Sequence, residues 1–480
     1  MAVYYLDANG SDSDSGTWGN PWQTLARVNA ASLLPSDNVE LKRGDKYEGQ
    51  LIVPSAGAEG EPIIFSAYGS GPRPIITSRF YVPGWYMANN WTDQGSNVWS
   101  MTVTVHPFWL WLSSVEYLQA AGQSQVDASS RWHYDGVAEL LYVYSSGNPA
   151  LSYLTIEGAA TADTFQATVL CSVKDHVHFQ YLDLRGGRFA AQVAGSDHVK
   201  FLDCDIGRDS FVGLQTASDW WVHESDHGEI ARCMIESGFA FDYDFMIPGP
   251  TDCILMQSGT NDWIVRDSKV SNWGHNCICL SAMHDPDTIS RIGIYGNDLS
   301  APNTSYCRAF SVEGLDGLTG DNRIHHNECH HLTVKSQLAS HTTEVYENHF
   351  GHIVQSPAVQ PEVGMGLSLE VYGDCVCTEN RIYNNEFADI EGPGMLLTAS
   401  GGPNDVRNNL IRCNTFINCG TNSPSYPDIA LVVDDDVCVK NNVFQHNDFQ
   451  GPNDHVVSYR GTICTVDRFN EILSEGDAGS

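Results

Sequence analysis

Between Ile294 and Phe449 one pattern of apolar and polar positions keeps returning: an apolar residue, two of any kind, an Asn, one of any kind, a second apolar residue. It reads Ile294–Asn297–Leu299, Ile324–Asn327–Cys329, Val345–Asn348–Phe350, Ile382–Asn385–Phe387, Ile411–Asn414–Phe416 and Phe444–Asn447–Phe449, with a degraded seventh copy at Asn470–Ile472. The first apolar positions lie 30, 21, 37, 29 and 33 residues apart, and periods of about 20 to 45 residues belong to solenoids or propellers. Each copy is a short β-branched or aromatic run bounded by Gly, Asn and Asp, which is the grammar of a strand and a turn. No helical period separates the copies. Variable intervals suit a coil whose strands are fixed while its loops change length, and an Asn in every coil can stack its amide above and below. The pattern predicts an all-β chain wound as a parallel β-helix.

The pattern also runs backwards with Asn replaced, through Phe179–Leu182–Leu184, Phe201–Cys204–Ile206, Ile230–Cys233–Ile235 and Val265–Ser268–Val270. At about 4.8 Å between stacked strands, these coils would make a rod of about 50 Å. Residues 1–78 read as an N-terminal cap and the first coils. Within them Leu25, Val28 and Ala31 give Trp22–Leu34 a helical spacing that stops before Pro35, a helix placed to plug the open end. Asn38–Lys42 and Gln50–Val53 read as strands around an Arg43-Gly-Asp-Lys turn. Residues 79–160 break the coil pattern and hold Trp85, Trp91, Trp99, Trp109, Trp111 and Trp132. They read as an inserted β subdomain whose tryptophans form its core, with stacking on sugar rings as the functional alternative. Residues 161–473 are the coils, with long excursions at 207–229 and 236–252, and 474–480 a tail.

The opening Tyr4-Tyr-Leu-Asp-Ala-Asn-Gly-Ser-Asp12, the Pro21-Trp-Gln-Thr-Leu25 run, Val39–Gly44 and the Asn-bearing coils resemble the pectate-lyase-like right-handed parallel β-helix superfamily. The resemblance implies a right-handed β-helix with carbohydrate chemistry. That superfamily holds polysaccharide lyases, glycoside hydrolases, epimerases and phage tailspikes, so fold alone selects no reaction.

Composition narrows the partners. Twenty-five basic against 59 acidic residues give a net charge of −34, a field that repels nucleic acid and anionic membranes. No stretch is long and apolar enough for a membrane span. Fourteen cysteines contain no CxxC pair, and Cys204, Cys233 and Cys329 fall at inward repeat positions, so they read as buried thiols rather than zinc ligands or disulfides. The residues after Met1 lack the basic start and apolar run of a signal peptide. The expected setting is extracellular or virion-associated, the partner a polysaccharide, and the assembly a monomer or homotrimer.

Each coil carries a second short strand after the ladder motif. Aligned on apolar residues, these strands end in Gln192, Gln215, Gln257, Ser281, Glu313, His341 and Glu370. Alternation along strands and register between coils make these one outward column, a bed for a linear polysaccharide. Glu313, His341 and Glu370 would then occupy three successive rungs, with the carboxylates about 10 Å apart. Inverting glycosidases hold their acid and base carboxyls about 6.5–9.5 Å apart and retaining ones about 5–5.5 Å, so the spacing favours inverting hydrolysis, with His341 orienting an acid or contacting a sugar. Around the column, Arg308, Lys335, Tyr372, Asp374, Gln257, Ser281, Trp273 and His275 are the expected substrate-binding residues.

A basic pair, Arg308 and Lys335, beside His341 and Tyr372 is also what a lyase needs to neutralise a uronate and abstract its neighbouring proton. A third reading is a non-catalytic carbohydrate-binding tailspike or surface protein. The hydrolytic chemistry requires no cofactor. Asp203/Asp205, Asp242/Asp244, Asp285/Asp287 and Asp434–Asp436 supply the oxygens calcium would use, without the spacing of a calcium loop. His325/His326 and His330/His331 are expected to point one residue of each pair inward.

Overall fold

The computed structural model describes the chain apart from residues 105–106, 114, 128–130, 161–166, 208–209, 211, 217–223, 238–251, 273–274, 283–287, 302–306, 315–318, 355–363, 372–374, 400–404, 422–430, 434–438, 451–456, 460–461 and 476–480. Three long sheets, of thirteen, twelve and thirteen strands among the described residues, run its length. The first sheet begins at Val3–Leu6 and ends at Val443–Gln445, the second runs from Lys46–Glu48 to Asp448–Gln450, and the third from Leu51–Ile52 to Thr462–Cys464. Each coil contributes one strand to each sheet, and neighbouring coils pair in parallel register, as Ile294↔Ile324↔Val345↔Ile382↔Ile411↔Phe444 shows for the first sheet. This is a parallel β-helix.

The Asn motif makes the corner between the first and second sheets. Each amide group donates both along the ladder and to the coil behind: Asn385 Nδ2 reaches Asn414 Oδ1 at 3.0 Å and the Val345 carbonyl at 2.9 Å. Its own oxygen accepts the backbone N–H and the side-chain amide of Asn348, both at 3.0 Å. The residue before each ladder Asn turns left-handed (His326, Glu347, Asn384, Cys413 and His446 have φ of 52–55°), which sharpens the corner. Such backbone persists where the surroundings hold it, and here the repeated amide bonds do so. A second ladder, through Asn380, Asn409 and Asn442, lines the next corner, with Asn380 Nδ2 to Asn409 Oδ1 and Asn409 Nδ2 to Asn442 Oδ1 both at 3.0 Å. Its signal was present in the sequence as an Asn two residues before the first apolar position of a coil.

One continuous core fills the coil, including stacked Phe350, Phe387, Phe416 and Phe449 at 4.9–5.0 Å between ring centres. The N-terminal helix is a single turn, Leu25–Asn29, shorter than its spacing suggested, with Thr24 as its cap and Leu25 and Val28 in the core. At the other end the seventh ladder copy does not form. Val466–Glu475 is a helix instead, running past Ser474, and its Phe469 packs edge-on against Phe444 and Phe449. Within residues 79–160 an eight-stranded sheet, mostly antiparallel, surrounds a separate core containing Trp91 and Trp132, while Trp111 is buried under the Arg79 guanidinium at 3.7 Å. Among the described residues thirteen cysteines are free thiols, twelve of them buried. The paired histidines are a correction: neither member of either pair points inward, because Ile324, Asn327 and Cys329 take the inward positions and leave His325 and His330 half-buried, His326 and His331 exposed.

Candidate active site on the third sheet

The strands of the third sheet alternate over their later residues, whereas near their start adjacent residues such as Ala309 and Phe310 both lie in the core. Phe310, Val312, Leu338, Leu367 and Leu369 point into the core, so the residue after each faces outward. Register then defines the outward columns. Gln257 pairs with Ser281, Ser281 with Glu313, and Glu313 with Ala339. Leu338 pairs with Leu369, which sets Ala339 beside Glu370, and Glu370 pairs with Thr398. Glu313 and Glu370 therefore share one column with a single rung between them, as the sequence suggested, two coil steps or about 10 Å apart at the backbone.

The residue between them is a correction. Alanine occupies that rung, not His341, which lies two residues further along the chain. There His341 bridges Gly320 and Thr378 in a small corner sheet, with its Nδ1 3.0 Å from Thr378 Oγ1. The cause is a buried serine. Ser336 is fully buried at the inward position matching Phe310 and Leu367, and an alignment on apolar residues passes over it to Leu338. The consequence is chemical: a buried methyl group, and not an imidazole, lies between the two glutamates.

Both carboxylates are held. Lys335 Nζ lies 2.6 Å from Glu370 Oε2, and the Glu370 residue is only 8% exposed, so this ion pair is largely out of solvent. Ser311, two residues before Glu313 on the same face, donates its hydroxyl to Glu313 Oε1 at 2.5 Å. Ser311 was not singled out from sequence, although strand alternation alone places it there. The upper column also shifts: Gln192 pairs with Gln215, but Gln215 pairs with Leu255, leaving Gln257 one outward position along. The three amides are nonetheless linked, Gln192 donating to Gln215 at 2.8 Å and Gln215 to Gln257.

A second cluster stands where these strands begin. Asp252, fully buried, accepts from the Asn276 amide at 2.9 Å and faces His275 Nδ1 at 2.9 Å. Arg308 donates from Nη1 to His275 Nε2 at 3.1 Å. The structure thus joins two of the expected binding residues, His275 and Arg308, directly, and sets behind His275 an acid that sequence gave no reason to choose. Arg308 lies five residues before Glu313 on one strand, about 16 Å away along it. Trp273, Tyr372 and Asp374 lie outside the described residues, as do Asp242/Asp244, Asp285/Asp287 and Asp434–Asp436. Of the calcium candidates that are described, Asp203 is paired to Arg232 and Asp205 to Arg73. Among the described residues no three His, Cys, Asp or Glu side chains cluster as metal ligands.

Solved structures with a similar course include a complex of XylC with xylose, a rhamnogalacturonan lyase and a lacto-N-biosidase from Eubacterium ramulus. They are 11%, 11% and 12% identical, with TM-scores of 0.47, 0.46 and 0.43. Each covers 93% of this chain, and this chain covers 69%, 87% and 68% of theirs. At such scores none carries an argument about the reaction. No curated protein sequence matches the chain. Residues 252–425 match the family model of the right handed beta helix region, and with the coil described above the chain is a right-handed parallel β-helix.

Proposed function

We propose that the outward column of the third sheet is the active site of a carbohydrate-active enzyme that hydrolyses glycosidic bonds of a polysaccharide with inversion. The observation that carries this reading is the pair Glu313 and Glu370 on one column, separated only by the Ala339 methyl. Inversion needs room for a water opposite the leaving oxygen, and carboxyls about 6.5–9.5 Å apart provide it. Two rungs set the backbones about 10 Å apart, from which side chains leaning toward each other come into that range, whereas one rung would suit a retaining pair. Glu370, ion-paired with Lys335, takes the part of the base that activates water. Glu313 protonates the departing sugar oxygen, and Ser311 orients it. Ser281 and Gln257 continue the column as hydroxyl-binding positions.

The test is a panel of polysaccharides read by new reducing ends and by ultraviolet absorbance together. Hydrolysis releases reducing ends without an unsaturated product, and both Glu313→Gln and Glu370→Gln abolish it. Two variants with near wild-type turnover on a responsive glycan would overturn the assignment.

A lyase is the second reading, and the Asp252–His275–Arg308 chain favours it: a buried carboxylate orients an imidazole beside a guanidinium, a base next to a group that neutralises a uronate. Absorbance of an unsaturated uronate, lost in His275→Ala and retained in Glu313→Gln, decides for it.

A further inference from the structure

A groove of about 1050 Å³ runs over the outer face of the first sheet, from Ile264 to Leu410. The strands it crosses pair in the order Ile264, Gly293, Arg323, Glu344, Arg381, Leu410. Six rungs make it about 24 Å long, an open trough along the rod axis.

Its floor contains Gly293, the first residue of the strand Gly293–Tyr295 and not among the positive-φ glycines. A glycine without that backbone demand leaves the main chain bare on the trough side, where a ligand can approach it closely. Nothing in the fold demands it: a Cβ at Gly293 would meet only Tyr295 at 3.7 Å and Ile264 at 3.8 Å, ordinary contacts. One wall is built by Tyr295 and His325, stacked at 4.9 Å with interplanar angle 6°, so that ring edges face the trough.

The charges in the trough cancel. Arg291, Arg323 and Arg381 are each more than half exposed, and Asp321, Glu344 and Glu379 balance them. The guanidiniums already have carboxylate partners: Arg291 holds Asp262 at 2.7 Å, while Arg323 and Arg381 flank Glu344 at 3.7 and 3.5 Å. Burial and the neighbouring His326 push the His325 pKa down, which keeps that ring neutral near pH 7. A locally neutral trough in a chain of net charge −34, rich in paired donors and acceptors, suits hydroxyl groups rather than a charged polymer.

We infer that this trough is a second, non-catalytic binding site for an uncharged linear glycan, which lies along the rod over Gly293. The ligand class rests on the proposed function, whereas the site itself rests on the trough and its glycine. Such a site would hold the polymer on one face while the third sheet acts on it at another.

The experiment is binding to an array of neutral and anionic glycans by wild type, Glu313→Gln, Gly293→Val and the double variant Arg323→Ala/Arg381→Ala, with thermal unfolding of each. The expected result is a neutral glycan bound equally by wild type and Glu313→Gln, and at least about tenfold more weakly by Gly293→Val and by the arginine double variant. Valine suits a strand better than glycine, so Gly293→Val should unfold no earlier than wild type, which separates lost binding from lost folding. Short-oligosaccharide turnover should be unchanged in Gly293→Val. Binding of anionic glycans alone, binding indifferent to Gly293→Val, or no binding to any glycan would each overturn the inference. Loss of turnover in Glu313→Gln speaks only to the third-sheet site, so the two readings fail separately.

Discussion

The Asn-lined corner and the third-sheet column are made by the same stacking of coils, yet they differ in what fixes them. At the corner each position is specified by its neighbours: the Asn385 side chain makes five hydrogen bonds, to Asn348, Val345, Tyr383 and Asn414. On the column each side chain has its own partner and its own task, Lys335 for Glu370 and Ser311 for Glu313. The corner repeats because the amide ties buried groups of one coil to those of the next, and the earlier coils close the same corner with Leu182, Cys204, Cys233 and Ser268. The column varies because nothing in the coil requires a particular residue to face outward. Structure is conserved along the rod at its corner, and chemistry is free to change on its face.

The sharpest way to break that contrast is at the carboxylates. Glu313→Gln and Glu370→Gln should each lower turnover by about 10²- to 10⁴-fold, the usual weight of a general acid or base; the denaturant midpoint of Glu313→Gln should stay close to wild type, whereas Glu370→Gln, which leaves the Lys335 ammonium without its carboxylate, should lower it. The corner should behave in the opposite way. Asn385→Ala strands the Asn348 N–H in the interior and takes the amide donor from the Val345 carbonyl, and should cost about 3 kcal/mol in urea unfolding. The earlier coils offer an internal control, since Cys233 replaces the ladder Asn and gives weak thiol contacts to the Phe201 and Ala231 carbonyls, both at 3.4 Å. Cys233→Ala should cost about 1 kcal/mol, the loss of one small buried group.

A smaller effect tests an outer-face residue of the first sheet. Burial and the nearby Lys200 ammonium push the His178 pKa down to about 4 from 6.5. A histidine whose folded pKa is depressed contributes stability that is present above pH 6.5 and is lost as pH falls toward 4. Urea midpoints of wild type should therefore decline across that window, and His178→Gln should decline less. The smallest effect belongs to His341, which the structure places on the corner sheet: His341→Ala should change turnover by less than about threefold.

The same contrast explains what could be read from sequence. The corner was legible because Ile294, Asn297 and Leu299 keep fixed spacing in every coil, with no loop between them. The second ladder was legible in principle, through Asn380, Asn409 and Asn442, but Thr343 interrupts it between Asn322 and Asn380. The third sheet follows loops of changing length, so only apolar positions could set its register. One polar residue facing the core, Ser336, was enough to misplace a rung, and with it His341. Asp252 left no sequence signal, because its partners His275 and Asn276 reach it from the next coil. The C-terminal helix hid behind a false ladder copy: Asn470 and Ile472 have the right spacing, but Phe469 is the residue that closes the core.

The central claim is that Glu313 and Glu370 act across a one-rung gap. It is tested most directly by proton NMR of the first product released from a responsive glycan, before mutarotation. The account predicts the anomer opposite to that of the cleaved linkage, and a product that keeps the original anomeric configuration would contradict it.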